Sequence, residues 1–147
     1  MARKLVFGIL TLVVSGIIVF TSLNTGDTYS SAGSELGNWI NQVFFASRLN
    51  MAEVSAIVGF GGKFVGHFSL FALDGVFAYL FCCSFSKNKG LFAAIFILFG
   101  IFMSIAGETI QVFIDGRSPT FVDVVIDYSG YLLIPAVITL YQRLNRA

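Results

Sequence analysis

The chain has 147 residues and a formal net charge of +1, with 56% hydrophobic and 12% charged residues and a mean hydropathy of +0.86. A near-neutral chain without a basic stripe has no electrostatic footprint for nucleic acid, so no nucleic-acid partner is expected. A soluble core of this size does not need so many apolar side chains, and the length fits one domain, residues 1–147, embedded in a membrane.

Four apolar runs, at 4–23, 64–85, 91–114 and 121–141, each approach the ~20 residues a helix needs to cross a ~30 Å hydrocarbon layer. The pattern predicts an all-α integral membrane protein, a four-transmembrane-helix bundle with an outer-face interfacial loop or helix. The first run follows Arg3 and Lys4. It is long for the apolar region of a signal peptide, and no A-x-A-like cleavage site follows it directly, so it reads as a retained anchor.

Residues 24–62 divide in two. NTGDTYSSAGSELG is rich in Ser, Gly and Thr and reads as irregular chain. The segment that follows carries Trp39, Val43, Phe44 and Leu49 among polar residues, a pattern suited to an amphipathic helix in the headgroup zone or to a cap folded over the bundle.

The second run has internal polarity. Lys63, His67 and Asp74 fall within ~40° of one helix face, with His67 ~6 Å and Asp74 ~16 Å deeper than Lys63. Cys82 and Cys83 close this run; adjacent cysteines on a reducing side serve packing, and their spacing offers no metal site. In the third run Gly100, Ser104, Gly107 and Gln111 stack on one face with Glu108 beside them, where small residues admit a close neighbour. Asp115–Gly116 reads as a turn, with Ser118 as N-cap and Pro119 as first residue of the last helix. Asp123, Asp127 and Gly130 then follow at helical spacing, and Pro135 removes a backbone bond in mid-span.

Six of the nine basic residues (Arg3, Lys4, Lys87, Lys89, Arg143 and Arg146) flank one side of these runs with no acidic residue among them. The positive-inside rule makes that side, with both termini, cytoplasmic in a bacterial cytoplasmic membrane, and turns the other side outward. The outward half gathers the polar residues. Asp74, Glu108, Asp115, Asp123 and Asp127 stand against Lys63 and Arg117, an excess of three carboxylates. In a low-dielectric site these cannot all stay ionised without a partner: some are protonated, or a cation binds.

These residues resemble the VanZ-like membrane protein family. The resemblance runs through Lys63 four before His67–Phe68, then Glu108, Gln111, Phe113, Gly116 and Arg117, then Asp123 and Gly130. The sequence departs from the family pattern at Lys63, where Arg is usual, at Phe71 for Tyr, at Asp115 for Pro, and at Asp127 for Asn. The resemblance implies a bacterial envelope protein, and its namesake is linked to low-level resistance to the lipoglycopeptide teicoplanin.

Four functions fit these residues. In a binding protein, Lys63, His67, Glu108, Gln111, Arg117, Asp123 and Asp127 would form an outward polar pocket for the head group of a membrane lipid or lipid-linked cell-wall precursor. Arg117 would grip phosphate or carboxylate through its fork. In an intramembrane hydrolase or transferase, His67 would be the general base, oriented by Glu108 or Asp123; a metal variant would use His67 with Glu108, Asp123 and Asp127. A proton-coupled path would use the carboxylates and His67 in series. In a structural reading, Arg117 pairs with Glu108 or Asp123, and His67 bonds Asp127 to lock the second span. No nucleophile elbow, H-E-x-x-H motif or zinc-type Cys/His spacing is present, so neither a metal nor another cofactor is expected.

Overall fold

A computed structural model of the chain describes residues 2–24, 39, 42–43, 50–85 and 88–145, with side chains in 51–64 described at Glu53 alone. Most of the expected outer loop lies outside the described residues; within it, Trp39, Gln42 and Val43 are helical, and Trp39 and Val43 are exposed at one-turn spacing. Four long helices are found among the described residues: α1 (Ala2–Ser22), α2 (Met51–Cys83), α3 (Lys89–Gln111) and α4 (Phe121–Leu144). Each is long and apolar enough to cross a membrane, α2 through its part Val65–Cys83. This is the all-α architecture that the hydropathy predicts.

Two boundaries differ from the sequence reading, each for a local reason. Hydropathy marks only the membrane part of α2, whereas the helix starts at Asn50, whose side chain accepts from Glu53 N (3.0 Å) while Glu53 Oε2 accepts from Asn50 N (2.9 Å). That reciprocal box satisfies two N-terminal donors and starts the helix in polar sequence, well before the apolar run. At α4 the N-cap is Thr120, not Ser118. Asp123 lies three residues after Thr120 and closes a capping box with it, which no residue three after Ser118 can do.

The helices alternate in direction. Lys4 Nζ stands 4.3 Å over the Phe85 ring, so the start of α1 and the end of α2 share one end of the bundle. At the opposite end Arg117, just after α3, donates from Nε to Asn24 O (3.2 Å) and from Nη2 to Thr21 O (3.1 Å). A cation there complements the negative end of the α1 dipole, and at Thr21 O it joins the Asn24 N–H already bonded to that carbonyl.

The core joins Val14 and Ile18 of α1, Phe71, Ala78 and Cys82 of α2, Phe96 and Met103 of α3, and Tyr131 of α4. Outward faces carry Leu12, Leu98, Phe102 and Leu133, all exposed, which water would penalise and lipid accepts.

The most extensive contact is between α2 and α4. Glycine makes it possible. A Cβ built on Gly130 would lie 2.5 Å from Phe68 O, and one built on Gly75 would collide with Tyr131 O. Tyr131 O is also the carbonyl that Pro135, having no N–H, leaves without its helical bond. The freed carbonyl therefore faces the one residue of α2 that presents only hydrogen to it. Nearer the Lys4 end, Tyr79 Oη meets Thr139 Oγ1 at 3.1 Å, and Thr139 in turn donates to Pro135 O (2.8 Å).

Candidate functional site

The site lies at the Arg117 end of the bundle and is assembled from three helices. His67 comes from α2, Glu108 and Gln111 from the last turn of α3, and Asp123 and Asp127 from the first two turns of α4. Helical spacing places each set on one face. The Gly130–Phe68 approach then brings the faces together, because Asp127 is one turn before Gly130 and His67 is next to Phe68.

His67 Nδ1 lies 3.0 Å from Asp127 Oδ1 and 3.8 Å from Glu108 Oε1. Glu108 Oε1 also accepts from Gln111 Nε2 at 3.1 Å. Asp127 and Glu108 are buried, while the His67 side chain keeps 21% of its surface exposed and so marks the accessible edge. Two hydrogen-bonding positions stay unused among the described residues: Glu108 Oε2, which is buried, and His67 Nε2.

The other candidates sit around this centre. Asp123 is buried and accepts at Oδ2 from Thr120 N (3.2 Å) and Thr120 Oγ1 (2.9 Å), so part of its capacity holds the start of α4. Arg117 is half-buried, with its fork on the α1 carbonyls. Lys63 occupies a helical position one turn before His67, and its side chain lies outside the described residues. Asp115 is exposed in the α3–α4 turn, where Gly116 takes the positive φ of 73° that the Asp–Gly pair predicts.

Asp74 is separate. It is fully buried and accepts from Ser15 Oγ of α1 at 3.0 Å, while its Oδ2 has no partner among the described residues. Ser15 was not a candidate, although Thr11, Ser15 and Ser22 repeat as small polar residues along one face of an otherwise apolar helix, which is the signal that finds it. Tyr131 is a second buried polar group outside the sequence candidates. It is fully buried, its hydroxyl donates to Phe96 O (3.0 Å), and its ring lies where a side chain at Gly100 would stand.

His67, Glu108 and Asp127 each bring one metal-ligand atom to within 4.8 Å of the others. All three belong to the metal variant read from the sequence, His67 with Glu108, Asp123 and Asp127, although no motif spacing marks them, because each of the three comes from a different helix.

A family model described as VanZ/LLP1 matches residues 7–142, nearly the whole chain and all four helices. The chain belongs to the VanZ/LLP1 family. No curated protein and no solved structure matches it. In this VanZ/LLP1 chain the position read as a departure from the family pattern, Asp127, supplies the closest contact to His67.

Proposed function

We propose that this VanZ/LLP1 protein is an envelope protein of the bacterial cytoplasmic membrane whose site faces outward and binds the head group of a lipid or lipid-linked cell-wall precursor. Both termini are cytoplasmic in this reading. His67, Glu108, Gln111 and Asp127 form its floor, with Lys63, Arg117 and Asp123 at the rim. Occupying such a head group alters the susceptibility of the cell to lipoglycopeptide antibiotics.

The observation that carries this reading is the unspent hydrogen-bonding capacity at Glu108 Oε2 and His67 Nε2. A purely structural lock between α2 and α4 accounts for the Nδ1–Asp127 bond. It does not account for a buried carboxylate oxygen left unmet, which costs ~1–3 kcal/mol unless a partner arrives. Buried polar groups without partners call for an explanation, and a polar ligand entering at the exposed edge of His67 supplies one.

A second reading has its own support. Asp127 on Nδ1 fixes the neutral imidazole tautomer with Nε2 as the basic nitrogen, as an oriented general base requires. In that case the protein is an intramembrane hydrolase or transferase acting on an envelope lipid.

One measurement separates the two: mass spectrometry of lipids retained by the detergent-purified protein, beside His67→Ala. Wild type is expected to enrich a defined anionic lipid or precursor that the alanine variant does not. Retained lipid that mirrors the bulk membrane in both proteins defeats the binding reading, and a covalently altered lipid formed only by wild type favours the enzyme.

A further inference from the structure

We propose that His67 Nδ1, Glu108 and Asp127 bind one divalent first-row transition-metal ion, of the Zn2+ or Mn2+ class, whose remaining coordination positions take an anionic oxygen of the head group. The ion-binding half stands on the donor set; the bridging half rests on the head-group reading above.

Geometry is the first support. Neighbouring ligands on an ion held at ~2.1 Å are ~3.0–3.5 Å apart, the span between octahedral and tetrahedral angles. The His67 nitrogen stands 3.0 Å from the Asp127 oxygen and 3.8 Å from the Glu108 oxygen, so small side-chain rotations bring all three onto one ion. Three protein ligands leave at least one position open, the pattern of metal sites that receive an exogenous oxygen rather than of closed structural ones.

Glu108 Oε2 is the second support. It belongs to the carboxylate whose Oε1 faces His67, in a residue 5% exposed, and it makes no hydrogen bond among the described residues. A cation held by both oxygens of Glu108 meets it; the His67–Asp127 hydrogen bond does not. Gln111 Nε2 on Oε1 holds the carboxylate in place as an outer partner of the ligand.

Charge is the third. Ionised Glu108 and Asp127 carry a charge of −2, which a divalent ion cancels, removing the repulsion that a carboxylate-lined site would otherwise exert on a phosphate. The single imidazole selects a transition ion over Mg2+ or Ca2+, which favour all-oxygen sets. Binding displaces the proton between His67 Nδ1 and Asp127, so protons are released as the ion enters.

The test uses the full chain in detergent, stripped with EDTA and then titrated calorimetrically with ZnCl2, MnCl2 and MgCl2. Expected are one Zn2+ or Mn2+ ion per chain with proton release, weak Mg2+ binding, and affinity at least about 10-fold lower in Glu108→Gln and in Asp127→Asn. Asp74→Asn, which changes a carboxylate outside the cluster, should bind like wild type. Absence of binding, or unchanged binding in both cluster variants, overturns the ion site. Nanodiscs of phosphatidylglycerol against phosphatidylcholine test the bridge. Preference for phosphatidylglycerol that disappears in EDTA supports it. Preference that survives EDTA overturns the bridge and leaves the head-group reading standing, whereas ion binding with no lipid preference overturns both the bridge and that reading.

Discussion

Asp74 shows how little keeps a buried carboxyl group in place. Its one donor among the described residues is Ser15 Oγ, and its second oxygen has none. Ser15→Ala therefore removes the last hydrogen bond from a fully buried group, at an expected cost of ~1–3 kcal/mol. Asp74→Asn keeps an acceptor for Ser15 and should cost less. Thermal melts in detergent check the order, and a Ser15→Ala variant that melts with wild type would show that the bond contributes nothing. The partnership was hidden from the sequence. The depth of Asp74 could be read from its distance to Lys63, but its partner lies 59 residues away on a helix that reads as an anchor.

At the scale of elements, the contact between α2 and α4 sets the site. A methyl group on Gly130 would fall 2.5 Å from Phe68 O, so the helices must part before any side chain fits. Gly130→Ala is expected to cost ~1–3 kcal/mol as overpacking and to stretch the His67–Asp127 bond beyond hydrogen-bond range. Nitrogen chemical shifts of the His67 ring report the bond directly. Gly66→Ala is the control: nothing lies within 4 Å of its Cβ, and in a helix it should be neutral or stabilising by up to ~1 kcal/mol. A Gly130→Ala protein with wild-type stability and ring shifts would remove the close approach from the explanation.

The helices themselves were largely legible. Apolar runs locate α1, α3 and α4 to within about three residues, because lipid demands the same apolar length that the eye counts. The start of α2 was not found, since a capping box at Asn50 and Glu53 works in polar sequence where hydropathy is silent. Spacing alone put Asp123 and Asp127 on one face, and Glu108 with Gln111 on another. The His67–Asp127 bond of the structural reading is present, and what brings the two together is the close approach of the backbones at Gly130 and Phe68.

For the whole molecule, alternation of the four helices puts Arg3, Lys4, Lys89 and Arg143 at one end and the His67 site at the other. In the proposed orientation, which rests on the positive-inside rule, the site faces outward. In a background with Cys82 and Cys83 replaced by serine, Asp115→Cys should react with an impermeant thiol reagent on intact cells, and Asn88→Cys only after lysis. The reverse pattern would turn the site toward the cytoplasm.

Helix α2 has a mechanical consequence. Its 33 residues form a rod of ~50 Å, ~20 Å longer than the hydrocarbon layer it crosses, and no break divides the part before Val65 from the part that bears His67. Gly59, Gly61 and Gly62 stand at that boundary, where glycine makes an otherwise continuous helix most pliable. A partner docking on the first turns of α2, outside the membrane in the proposed orientation, would reach the His67 ring only through that stretch. The polar site is thus joined by one continuous helix to a segment about 20 Å long beyond the hydrocarbon layer.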